Sequence, residues 1–156
     1  MSAMAGRKAQ VAAIGALLLA GCGSSEREQV PVACLGEPVA ISRALERAPA
    51  SVRLADGTSL SDCVRAAANR DGDLQTLGSS LTQVADDLSA SAAMDAQTAL
   101  RLGYLVGAVR RGALQTPGVA AQLARRVEQA ASLDAGAPPA SLAAWQRGVG
   151  LGEAGG

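Results

Sequence analysis

The chain has 156 residues, with 14 Lys plus Arg against 14 Asp plus Glu and no His, so it lacks the commonest general base and the commonest metal ligand. Its balanced charge offers no basic face for nucleic acid or anionic lipid. Phe is absent and the only large aromatics are Tyr104 and Trp145. A core must therefore come from Leu, Val and Ala, whose small side chains bury little area each and require helices to approach closely.

At the start of the chain, Arg7 and Lys8 precede an apolar run from Ala9 to Ala20, which ends in Leu19-Ala20-Gly21-Cys22. A basic segment, an apolar segment and small residues before a cleavage point are the parts of an export signal. As a helix rising ~1.5 Å per residue, this run reaches roughly 20 Å against a ~30 Å hydrocarbon core, too short for a permanent span. Leu19-Ala20-Gly21-Cys22 resembles the lipobox of bacterial lipoproteins in residue type, order and position. The resemblance implies removal of residues 1–21, a thioether-linked diacylglycerol on Cys22, and a protein anchored to the cell membrane or outer membrane, facing the extracytoplasmic space. Gly23 follows where Asp would favour inner-membrane retention, which in a host with two membranes fits the outer one. The alternatives are secretion with another cleavage site, or a cytosolic helix in which Cys22 is an ordinary small hydrophobe. The basic flank and the near absence of polar residues weigh against the latter. Without Arg7 and Lys8 the remaining cations are 12 Arg against 14 acids, a formal charge of about −2.

Gly23 to Gln29 is small, polar and charged, so residues 22–29 read as a tether reaching about 25 Å when extended. Val30 to Glu37 runs extended into a single domain expected over residues 30–150. Pro38 opens a helix through Ile41, Leu45 and Ala48, and Pro49 ends it. Val52 to Ala55, Asp56-Gly57 and Thr58 to Leu60 alternate around a two-residue turn, which predicts a short β-hairpin near residues 52–60. Ser59 with Asp62 resembles a capping box for a helix carrying Cys63, Val64 and Ala67 and stopping near Asn69 to Gly72.

Leu74, Leu77, Leu81, Val84 and Leu88 then form one apolar stripe, with Asp73 as the expected N-cap. A second long helix is predicted from Asp95 to about Leu114, with Ala99, Leu102, Val106, Val109 and Ala113 on one face and Leu105 widening it. Thr116-Pro117 predicts the next helix start, followed by Val119, Leu123, Val127 and Ala130, with Asp134-Ala135-Gly136 closing that unit. Pro138-Pro139 precedes a final short helix with Leu142, Trp145 and Val149, and residues 151–156 read as a disordered Gly-rich tail. The expected fold class is mainly α, a small bundle of four to six helices with one disulfide, successive helices packing antiparallel.

With Cys22 committed to lipid, Cys34 and Cys63 are the remaining pair in an exported chain, which predicts a disulfide. A metal or redox role fits them poorly, since they lack both His partners and a C-x-x-C spacing.

Candidate chemistry is sparse. The only Lys, Lys8, leaves with the signal, which removes Schiff-base and Ser-Lys mechanisms. Asn69, Asp71 and Gly72 align with part of a calcium loop, but Ala67 and Gly78 then fall where carboxylates are needed. Asp86-Asp87 and Glu46 are acids for glycan cleavage only if a partner faces them, and otherwise are solvated helix faces. Arg110-Arg111 and Arg125-Arg126 are candidate anion or phosphate contacts, the simpler reading being helix-end cations and an Arg125–Glu128 surface pair. Tyr104 between Gly103 and Gly107 marks a small-residue groove for close helix contact. Function is thus expected to be non-catalytic, binding or structural, with no cofactor. Partners are the membrane, through lipid on Cys22, and an envelope protein. The alternatives are an envelope enzyme working through carboxylates, or an anion-binding module at the two Arg pairs.

Overall fold

From Leu102 to Val109 every residue is buried, which a helix reaches only when neighbours surround it. The computed structural model describes residues 29–116, 118–134 and 136–156; the expected signal segment and Cys22 lie outside them. The described residues form a 3-10 turn at Val32–Leu35 and six helices: α1 Pro38–Leu45, α2 Leu60–Ala67, α3 Asp71–Ala92, α4 Ala96–Leu114, α5 Val119–Ala130 and α6 Pro139–Gly155. The buried run belongs to α4, the central helix, which contacts α1, α2, α3, α5 and α6. The single face expected for it is therefore too narrow, because Leu100 and Tyr104 are buried as well.

Local signals explain most boundaries. Pro38 starts α1, where its missing N–H costs nothing. Ser59 Oγ accepts from Asp62 N at 3.2 Å and donates to Asp62 Oδ2 at 2.8 Å, capping α2. Asp95 caps α4, its carboxylate accepting from Gln97 N at 3.2 Å and Thr98 N at 3.0 Å. Leu74, Leu77, Leu81 and Val84 face the core from α3, and Leu88 is partly buried beside them.

Four expectations are corrected. The hairpin forms only its turn: Thr58 N donates to Asp56 Oδ1 at 2.9 Å, Gly57 takes φ 87°, and Leu54 N donates to Thr58 O at 2.9 Å. No strand occurs among the described residues, because Ser59 is used as a cap and Leu60 opens α2. A two-stranded ribbon alone is too weak to compete with that helix. Helix α3 begins at Asp71, so Asp73 lies within its first turn, paired with Arg70 at 3.9 Å, and is not the N-cap. Thr116 closes α4 by donating to Gly112 O at 3.0 Å, and α5 starts after Gly118, whose φ of 106° suits a residue without Cβ. Residues 151–156 do not form a free tail: α6 continues to Gly155, and Gly156 is buried.

The extended α6 packs chiefly on α4. A Cβ placed on Gly103 would lie 2.0 Å from Trp145 O, and one on Gly107 2.1 Å from Val149 O. Reciprocally, Gly148 faces Leu100 O at 2.1 Å and Gly152 faces Tyr104 O at 2.2 Å. Residue numbers rise together in these pairs, so the two helices run parallel, consistent with two chain reversals through α5. Their backbones touch, leaving no room for a Cβ where side chains would normally intervene. At the far end Arg111 Nη1 donates to Glu153 O at 2.9 Å and to Ala154 O, and Ser61 Oγ donates to Gly156 O. These bonds satisfy carbonyls that a helix C-terminus leaves unpaired, and the cation suits the negative end of the helix.

Candidate functional site

The four candidate arginines fall in three places. Arg110 Nε donates to Glu128 Oε1 at 2.6 Å, and its Nη1 lies 3.6 Å from Glu153 Oε1. The hydrogen bond to the Glu128 carboxylate, with Glu153 behind it, raises the Arg110 pKa above its ordinary value, and the charge of the guanidinium is balanced within the protein. Arg111 is occupied with the end of α6. Arg125 borders a depression of about 290 Å3 shared with Arg110 and Glu128, whereas Arg126 borders another with Gly78 and Asp86. Glu128, expected to pair with Arg125 on its own helix, instead bridges α5 to α4.

The Arg110–Glu128 pair separates two depressions that together form a groove along α4, α5 and α6. The first is floored by Ala113, Ala121 and Ala124 beside the exposed Leu114. The second, about 280 Å3, is bounded by Ser132, Leu133, Leu142 and Trp145. Trp145 Nε1 is buried and has no hydrogen-bond partner among the described residues. Chemically the groove presents apolar walls, one internally satisfied ion pair and one further cation, an arrangement suited to holding a surface or ligand and poorly suited to proton transfer.

The carboxylates are dispersed. Asp86, Asp87 and Glu46 are exposed, and Asp71 and Asp73 belong to the first turn of α3. Among the described residues no three His, Cys, Asp or Glu come close enough to hold a metal ion. The two acids with displaced pKa values both move down, Asp95 because the Thr98 hydroxyl and then the Gln97 and Thr98 amides bond its carboxylate, and Asp56 because Thr58 bonds it.

The Asp95 shift has a testable sign. A carboxylate whose folded pKa lies below its usual 3.8 contributes stability in full above that value and loses it as pH falls through the lower folded value. Asp95→Asn keeps one accepting oxygen but sets an amide donor where the second oxygen accepted, so it should lower neutral-pH stability and flatten the acid limb of a melting-temperature profile. An acid limb as steep as that of the parent protein would contradict this role.

Cys34 and Cys63 are fully buried and disulfide-bonded, with Cα atoms 5.3 Å apart. The bond ties the 3-10 turn at Val32–Leu35 to α2, as the cysteine count implied. The glycines of α6 were the main positional feature missed by sequence reading. Gly148, Gly152 and Gly156 recur at helical spacing after Ala144, a pattern complementary to Gly103 and Gly107. No helix of the described residues is long and apolar enough to cross a membrane. No protein-family model matches this chain, and neither a curated protein nor a solved structure shows significant similarity to it.

Proposed function

We propose that this chain is a lipid-anchored, extracytoplasmic lipoprotein whose helical body acts by binding an envelope partner, without catalysis. The observation that carries the reading is Leu19-Ala20-Gly21-Cys22 behind Arg7-Lys8 and an apolar run. The cysteine usage supports it: Cys34 and Cys63 are bonded to each other, which leaves Cys22 as the third cysteine of the chain. A buried disulfide also suits an oxidising compartment. The apolar groove along α4, α5 and α6 supports binding as the role of the tethered body. Two or more acyl chains on Cys22 hold such a body stably, each buried CH2 contributing about 0.8 kcal/mol.

Expression of the full chain in a bacterial host tests the anchor. Mass spectrometry of the membrane fraction should find an acylated N-terminal peptide beginning at Cys22, and Cys22→Ala should abolish both acylation and membrane retention. Recovery of that fraction with Met1 intact would refute the assignment.

A further inference from the structure

Tyr104 is the only tyrosine of the chain and is 2 % exposed, yet its hydroxyl makes no hydrogen bond with any described residue. The hydroxyl oxygen is not fully enclosed, unlike the buried and unpartnered Arg101 Nε and Trp145 Nε1, so it is open to a partner from outside the protein. The hydroxyl lies against the last turn of α6, where a Cβ on Gly155 would sit 3.9 Å from it. Tyr104 and Gly155 both line a depression of about 310 Å3 that opens between α6 and the segment from Pro49 to Arg53.

The other side of this depression carries Arg53 and Ser51. Arg53 Nε donates to Ser51 Oγ at 3.3 Å, and Arg47 Nη1 donates to Arg53 O at 2.9 Å. Among the described residues no acceptor takes the terminal N–H groups of Arg53. Arg53 is the only charged residue lining the depression; no carboxylate does. The negative end of α6 would disfavour an anion, but its last carbonyls already receive Arg111 and Ser61. Pro49 and Leu151 supply an apolar wall.

We propose that this depression is a binding site for a small organic carboxylate. The planar fork of Arg53 takes the two carboxylate oxygens, the Tyr104 hydroxyl donates to one of them, and the hydrocarbon portion rests on Pro49 and Leu151. A single guanidinium matches one negative charge, which favours a carboxylate over a doubly charged phosphate. The volume lies at the small end of ligand pockets, so the ligand has few heavy atoms. The site is separate from both the lipid anchor and the groove along α5, and it stands or falls independently of the function proposed above.

Ultraviolet difference spectroscopy on the purified full chain in detergent reads the sole tyrosine directly. Isobutyrate should give a saturable tyrosine signal, whereas isobutyramide, the same shape without charge, should give none. Arg53→Gln, at an exposed position, should weaken isobutyrate binding about tenfold or more. Tyr104→Phe should weaken it too without lowering the melting temperature, since no protein partner is lost; amide shifts at Ser51 and Gly155 replace the optical readout for that variant. The proposal is overturned by the absence of a saturable isobutyrate signal, by an equal response to isobutyramide, by unchanged affinity in Arg53→Gln, or by saturation with inorganic phosphate alone.

Discussion

Gly148→Ala should destabilise the protein by about 3 kcal/mol or more, whereas Gly150→Ala, two residues further along the same helix, should stabilise it by about 0.5 to 1 kcal/mol. The new methyl at Gly148 would sit 2.1 Å from Leu100 O and 2.9 Å from Tyr104 N. Both atoms are backbone, so no rotamer change relieves the clash, and α6 must move away from α4. That movement also breaks the close approaches at Gly103, Gly107 and Gly152, because all four glycines lie along one parallel contact. The penalty therefore exceeds that of a single overpacked side chain. At Gly150 a Cβ meets nothing within 4 Å and the residue is exposed, so only the helix-propensity gain remains. Urea titration should show opposite shifts of the midpoint for the two variants at similar slopes. A Gly148→Ala protein as stable as its parent would mean that α4 and α6 do not meet through their backbones.

Loss of the Cys34–Cys63 bond is the second large effect expected. The cysteines are 29 residues apart, and the chain-entropy model gives roughly 3.5 kcal/mol for a loop of that size. Besides the packing of Val30, Ala33 and Leu35 on the core, the turn at Val32–Leu35 is held by contact with α3 and by Ser80 Oγ donating to Gly36 O at 3.4 Å, a long bond. The double variant Cys34→Ala with Cys63→Ala should therefore unfold at clearly lower urea concentration than the oxidised parent. Added reductant should shift the parent toward the variant and leave the variant unchanged. If reductant moved neither protein, the thiols would not be bonded in solution. The effect matches where the bond lies, since a core built from Leu, Val and Ala has no large aromatic anchor near residue 34.

The helical class, the disulfide and the positions of most helices were legible because each rests on local chemistry. Ser59 and Asp95 cap helices through their own side chains, Pro38 and Pro139 start them, and the Leu74 to Val84 stripe has helical spacing. The hairpin failed because Ser59 and Leu60 carry two local signals at once, strand alternation and helix capping, and burial in α2 favours the second. The tail failed for a related reason. Gly148 to Gly156 has poor intrinsic helix propensity, so taken alone it reads as flexible. Against Gly103 and Gly107 the same glycines become the means of close approach, and packing outweighs propensity.

Candidate sites divide along the same line. Arg110 reads locally as a helix-end cation, but its place between Glu128 of α5 and Glu153 of α6 depends on helices that meet only in the folded state. Asp86 and Asp87 remain solvated on α3, as neighbouring residues on one helix must when nothing faces them. The depression under Tyr104 has no counterpart in sequence at all, since Arg53, Tyr104 and Gly155 are far apart along the chain.

By itself the sequence determined the helical composition and, with three cysteines, that no more than one disulfide can form within the chain. These properties live in residue type and short spacing, where chain chemistry acts without a partner. Tertiary structure alone decided that α4 is buried on all sides from Leu102 to Val109, that the glycine-rich end is a helix, and that Arg110 and Arg111 bind within the protein. Each of these depends on two segments distant in sequence fitting backbone to backbone or charge to charge, and no single segment encodes the shape of its partner.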